Sequence, residues 1–176
     1  LSDENKCAIH TSFSTNSNWP YDWSSYCITP ITNDNIHQAV DEWILNSVYA
    51  ETNYGHISNW DVSSVTNMSW MFAGATSFNA DISGWDVSSV TTMDHMFTNA
   101  FSFNQDLSSW DVSNVTDMIH MFSYADSFNQ DISSWDVSNV IDMTDMFTGS
   151  NTLSDENKCA IHTSFSTNSN WNTNWE

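Results

Sequence analysis

The chain has 176 residues, 40% of them hydrophobic and 14% aromatic, which is enough for one sizeable domain or a short repeat array with a cap. Twenty-two acidic residues stand against two lysines and no arginine, a formal net charge of −20. That balance excludes nucleic-acid binding, which needs basic groups to displace counterions, and it excludes attachment to anionic membrane surfaces.

In chain order, the first block is LSDENKCAIHTSFSTNSNW, Leu1 to Trp19, and the same 19 letters return at Leu153 to Trp171. Such identity implies recent duplication and a super-repeat of 152 residues, of which this chain is one unit plus the start of the next. The start at Leu1, in mid-motif and without a signal peptide, reads as a processed or excised piece. Cys7 and Cys27 flank a loop containing WPYDW. A disulfide between them would close a loop of about 20 residues, worth ~3 kcal/mol in the chain-entropy model. Cys159 copies Cys7, so its expected partner lies beyond Glu176. The alternative is three buried free thiols. His10 and His162 are copies of each other and are expected to pack in their caps.

Thr32 or Asn33 is placed to cap a helix carrying Ile36, Val40, Trp43 and Ile44 on one apolar face and ending near Asn46. Ser47 to Gly55 reads as a connector. An array follows, from about His56 to Ser150. WDVSSVTNMSWMF, from Trp60 to Phe72, recurs from Trp85, Trp110 and Trp135, a step of 25 residues. Within a unit, Trp85-Asp86-Val87 alternates as a short strand does. Val90, Met93, Met96, Phe97 and Ala100 then fall at helical steps, with Thr91 as N-cap. Asn79 and Asp81 suit the turn between units. The expected fold is therefore an α/β solenoid, one short strand and one short helix per coil. Its core ladders are Trp60, Trp85, Trp110 and Trp135; Met68, Met93, Met118 and Met143; and Phe72, Phe97, Phe122 and Phe147. Phe78, Phe103 and Phe128 form a shorter ladder. In-register strands would space each ladder at ~4.8 Å. The units are residues 1–55 as cap, 56–150 as array and 151–176 as the start of the next unit.

The pattern F-N-x-D-[IL]-S-x-W-D-V-S-x-V-x-x-M-x-x-M-F resembles the 25-residue repeats of BspA-like surface proteins, found also in mycoplasma surface lipoproteins. The likeness covers about Ile57 to Ser150, and the NYGHIS lead-in, Asn53 to Ser58, resembles segments flanking such arrays. It implies a leucine-rich-repeat-like solenoid on an extracellular surface, with adhesive or structural roles. The terminal duplication departs from a single anchored adhesin and points to long tandem polymers.

Asp61, Asp86, Asp111 and Asp136 form one acidic ladder, and Asp81, Asp106 and Asp131 a second. Either their carboxylates splay into water or accept turn N–H groups, or calcium sits between them. His95 and His120 hold equivalent positions, with Trp70 and Asp145 in the outer copies; a metal pair and a solvent-facing helix position are the alternatives. Asn67-Met-Ser and Asn114-Val-Thr are N-glycosylation sequons, Asn114 at a strand-to-helix turn being the better site. Dense Ser and Thr also permit O-glycans. There is no phosphate-binding glycine loop, Cys7-Ala-Ile-His10 is not a nucleophile pair, and the carboxylates recur as ladders and not as one catalytic pair, so no enzyme is expected. The expected partners are copies of the chain end to end, in an extracellular filament or surface layer. A host protein or glycan bound by irregular aromatics such as Trp70, Tyr124 and Phe101 is the alternative. No required cofactor and no membrane insertion are expected.

Overall fold

The computed structural model describes residues 1–173 and 175, with the side chains of all but residues 3, 4, 25 and 26. The helices are α1 (Asp3–Phe13), α2 (Ile36–Leu45), α3 (Ser47–Tyr54) and α4 (Asp155–Phe165), with 3₁₀ turns at Ser24–Cys27 and Ile57–Asn59. α1 and α4 have the same sequence and the same N-cap: the Ser2 and Ser154 side chains accept from the amides of Asn5 and Asn157.

α2 buries Ile36, Ala39, Val40 and Trp43, whereas Ile44 is exposed. Its N-cap is Asn35, without a side-chain cap bond, and not Thr32 or Asn33. Asn33 is engaged elsewhere: its Oδ1 accepts from the Thr66 amide at 2.9 Å, tying the cap to the first coil. The segment expected as a connector is α3. The Asn46 side chain caps it through the Tyr49 amide, Ala50 and Tyr54 anchor it, and Gly55 ends it at φ 75°.

The expected strand and helix per coil do not form. Among the described residues there is no strand, and no helix lies between Asn59 and Asp155. What remains of strand pairing is a line of isolated parallel bridges, Asn67 to Thr92 to Asp117 to Asp142. The reason is visible in the backbone. Amides at Met71, Met96, Met121 and Met146 close turns onto the carbonyls of Met68, Met93, Met118 and Met143. A second set closes from Ala75, Ala100, Ala125 and Ser150 onto Phe72, Phe97, Phe122 and Phe147. The third residue of each turn is left-handed: Trp70, His95, His120 and Asp145 in the first set, Gly74, Asn99, Tyr124 and Gly149 in the second. This is the position at which a type II turn requires positive φ. The expected strand at Trp85–Val87 is hemmed in by two further turns of the same span, the Trp85 amide closing onto Ile82 and the Val90 amide onto Val87, and no run between them is long enough for a strand. The three-residue apolar steps that suggested a helix are the span of these turns, each closing i to i+3.

The coils nevertheless stack. Met68, Trp70, Phe72 and Gly74 donate their amides to the carbonyls of Thr92, Asp94, Met96 and Thr98, and the pattern repeats at the next two junctions with N···O distances of 2.7–3.1 Å. Alternate amides thus bind the next coil, and those between them close turns within a coil. Thr91, expected as an N-cap, instead donates its amide and hydroxyl to the carbonyl of Thr66.

All twelve residues of the Trp, Met and Phe ladders are buried, as are Phe78, Phe103 and Phe128. Phe72, Phe97, Phe122 and Phe147 stack with centroids 5.4 Å apart at each step, within 9° of parallel. Phe78, Phe103 and Phe128 follow at 5.8 and 6.2 Å, and Trp60 and Trp85 at 6.2 Å. Pure translation by the ~4.8 Å strand spacing would place every equivalent pair at that distance. These centroid spacings all exceed the ~4.8 Å between paired strands, so the rings stack in parallel but not in the closest contact. Each indole also reaches back one coil: Nε1 of Trp85, Trp110 and Trp135 donates to the buried carbonyls of Ile57, Ile82 and Leu107 at 2.9, 3.2 and 2.9 Å.

Candidate functional site

Outside the core, chemistry-bearing side chains gather in three places: the acidic turns, an aromatic–imidazole column, and the two ends of the stack.

The acidic ladders are built of Asx turns. Oδ1 of Asp61, Asp81, Asp86, Asp106, Asp111, Asp131 and Asp136 accepts the amide of the serine two residues on, at 2.9–3.1 Å. At Asp61, Asp81 and Asp86 the serine hydroxyl donates as well. Hydrogen bonds from the serine side chain and amide hold Asp61, Asp86, Asp111 and Asp136 below the usual carboxylate range. Repulsion from Asp86 and Asp136 acts the other way on Asp111 and is the smaller effect. Among the described residues no three His, Cys, Asp or Glu side chains converge as a metal ion would need. The carboxylates are accommodated one turn at a time.

The second place is the column of left-handed turn residues. Trp70 and His95 stack face to face at 3.9 Å and 7°, and His120 follows at 4.8 Å and 50°. These positions lie on turns, not on the helix face expected for them. His95 Nδ1 is 3.3 Å from Asp94 Oδ2. Partial burial works to raise the Asp94 pKa, but hydrogen bonds from Ser69, Thr92 and His95 outweigh it and leave the carboxyl lowered. Trp70, Tyr124 and Phe101 are all exposed.

The third place is the pair of ends. At the first coil, Asn33 meets Thr66 and His37 Nε2 lies 3.0 Å from the Ser69 carbonyl. At the last coil, α4 and its flanks form a plug. Leu153, Ile161 and Phe165 are buried, and Trp171 and Trp175 meet Phe147 edge-on at 6.3 and 5.6 Å. Asn168 Nδ2 donates to the carbonyls of Val137 and Val140 at 2.7 and 2.8 Å. The plug also continues an asparagine ladder. Asn79 Oδ1 accepts the Asn104 amide, Asn104 Oδ1 accepts the Asn129 amide, and Asn129 Oδ1 accepts the Ser154 amide at 2.8 Å. Asn157 Nδ2 takes the place that Gln105 and Gln130 hold in the coils, donating to the Asn129 carbonyl at 3.0 Å. The only mark of this ladder in the sequence is the Phe-Asn dipeptide at a fixed register, Phe78-Asn79, Phe103-Asn104 and Phe128-Asn129.

Cys7 and Cys27 are joined by a disulfide, and Cys159 is free and exposed. His10 Nδ1 accepts the Trp23 amide at 3.2 Å, and His162 Nδ1 accepts the Trp171 indole N–H at 3.1 Å. The two sequons differ. Asn114 Nδ2 donates to the Ser88 carbonyl at 2.8 Å, so the atom a glycan would take joins two coils. Asn67 is exposed and accepts the Ser69 amide through Oδ1. Clefts of about 370 Å³ beside the plug and about 460 Å³ between α2 and the first coil are open and lined by mixed polar and apolar residues.

No curated protein and no solved structure matches the chain. A family model described as "Mycoplasma protein of unknown function, DUF285" matches residues 42–159, about two thirds of the chain, from the middle of α2 through all four coils into α4. The match agrees with the mycoplasma side of the resemblance drawn from the repeat, and its description names no function. The chain belongs to this family, DUF285.

Proposed function

We propose that the chain is a non-enzymatic structural segment of a surface or extracellular assembly, in which four-coil arrays are joined end to end. One observation carries the reading: the block that plugs the array, Leu153 to Trp171, has the sequence of the block that opens the chain. An array end that is closed by the start of a unit is suited to continuation. The disulfide and the mycoplasma family are compatible with a surface or extracellular location, and among the described residues no helix is long and apolar enough to cross a membrane. Electron microscopy of the purified chain at high concentration tests the proposal. Fibres or layers with a period of one array support it; dispersed single particles at every concentration refute it.

A second reading, an adhesin for a host protein or glycan, draws on the exposed Trp70 at the head of its imidazole column. Stacking platforms of this kind suit ring faces such as those of sugars. A glycan array probed with the wild type and with Trp70→Ala separates the readings, because an adhesin loses hits while a structural segment has none to lose.

A further inference from the structure

The 19-residue block occurs twice with one sequence and two environments. In the second copy Leu153, Ile161 and Phe165 are 3%, 0% and 0% exposed, seated on the fourth coil. In the first copy the same letters, Leu1 and Phe13, are 77% and 49% exposed, and Ile9 is half-buried. The first copy is also less satisfied internally. The Trp171 indole donates to His162, whereas Nε1 of Trp19 is buried without a partner and its counterpart histidine, His10, is taken by the Trp23 amide. Phe13 lies flat on Trp19 at 18°, while Phe165 meets Trp171 edge-on at 87°. The disulfide does not obstruct the apolar face. Cys159, at the position of Cys7, is exposed while its helix is seated, so that position points away from the array.

We infer that Leu1–Trp19 is a second plug, and that its partner is the fourth-coil end of another copy of this chain. Leu1, Ile9 and Phe13 enter the sites that Leu153, Ile161 and Phe165 fill, and Ser2 and Asn5 meet Asn129 as Ser154 and Asn157 do. This is an exchange of identical elements, the low-cost route to association known from domain swapping. The plug already in place acts at an effective concentration on the order of millimolar, so a second copy competes poorly until that plug is weakened.

The inference rests on the end-to-end reading, and the experiment separates them. Ile161→Glu with Phe165→Glu in the full chain opens the array end. Sedimentation should show self-association beginning at a concentration at least tenfold below that of the wild type. Adding Ile9→Glu with Phe13→Glu should return the chain to monomer. An opened chain that stays folded and monomeric, or one whose association ignores Ile9 and Phe13, overturns the inference. Should the opened chain unfold, a synthetic peptide of residues 1–19 is the second probe. It should restore the circular dichroism of the array, and the peptide carrying Ile9→Glu and Phe13→Glu should not; failure of the unmodified peptide overturns the inference. Wild-type fibres that are indifferent to Ile9→Glu with Phe13→Glu would leave the structural reading standing and remove only this junction. Association of the opened chain without any wild-type fibre would do the reverse.

Discussion

Trp110→Phe tests whether the coils are held together by their indoles. Trp110 is buried, and its Nε1 donates at 3.2 Å to the carbonyl of Ile82 in the preceding coil. Phenylalanine keeps an aromatic ring in the column but removes the donor. The Ile82 carbonyl keeps its bond from the Trp85 amide, so the variant loses one of two hydrogen bonds to that oxygen, about 0.5–1.5 kcal/mol. The lost ring volume adds about 1–2 kcal/mol, in line with the transfer and cavity terms of a large-to-small change. The expected total is about 1.5–3.5 kcal/mol. Trp60→Phe is the comparison. Its indole donates to Gly55, at the half-buried start of the stack, where water can replace the donor. Its cost should be the ring term alone, about 1–2 kcal/mol. Urea titration followed by far-ultraviolet circular dichroism reads both as shifts in midpoint at unchanged slope. Equal losses in the two variants, or a loss under 1 kcal/mol for Trp110→Phe, would refute the view that the indole bond is what joins successive coils.

The remaining expectations concern the turns, the acid groups and the disulfide. Gly149 sits at φ 76° with the Tyr124 ring where a Cβ would go, so Gly149→Ala should cost about 2 kcal/mol or more. In a Tyr124→Asn background the cost should be smaller, since only the backbone strain remains; a cost unchanged by that background would show that the ring is not the obstacle. The turn carboxylates Asp61, Asp86, Asp111 and Asp136 have folded pKa values below their unfolded ones. Their stabilisation is present above the unfolded value of about 4 and is lost as pH falls through the folded values. The melting temperature should therefore drop below about pH 4, and an array equally stable at pH 2 would contradict the Asx-turn account. Because each of those carboxylates is satisfied by its own serine, a chelator should leave the melting temperature unchanged; a fall of several degrees would mean that calcium bridges the turns. Reducing Cys7–Cys27 should loosen α1 and the 3₁₀ turn at Ser24–Cys27 and leave the main transition of the coils within about two degrees, which calorimetry with and without reductant would show.

The repeat made the columns legible. A fixed 25-residue step forces like residues to share an environment, and the alternation Trp85-Asp86-Val87 correctly puts indole and valine inside with the carboxylate outside. The secondary structure was not legible from the same letters, because apolar residues three apart fit a helix and a chain of i-to-i+3 turns equally well. What distinguishes the two is the left-handed residue in each turn. Gly74, Gly149 and Asn99 announce it most plainly in sequence, and His95, His120 and Asp145 more weakly, as residue types enriched at positive φ; Trp70 and Tyr124 give no sign of it. The stacking of coils explains the imidazole column. An equivalent position in successive coils is a neighbour in space, so His95 and His120 had to meet whether or not they sat on a helix. Helix α3 was hidden for a different reason: SVYAETNY has little amphipathic pattern, and its stability comes from the Asn46 cap and from Ala50 and Tyr54 packing.

The two ends of the array are chemically unlike, and that limits how units can join. At the first coil the acceptor is the Asn33 side chain, which meets the Thr66 amide; at the last coil Asn129 offers its side-chain and backbone oxygens to Ser154 and Asn157. A parallel ladder has a direction, so the first-coil end cannot bind another first-coil end by the same bonds. A union made through the fourth-coil end and an opening block is therefore heterologous, head to tail, and such contacts give open chains unless a rotation happens to close them.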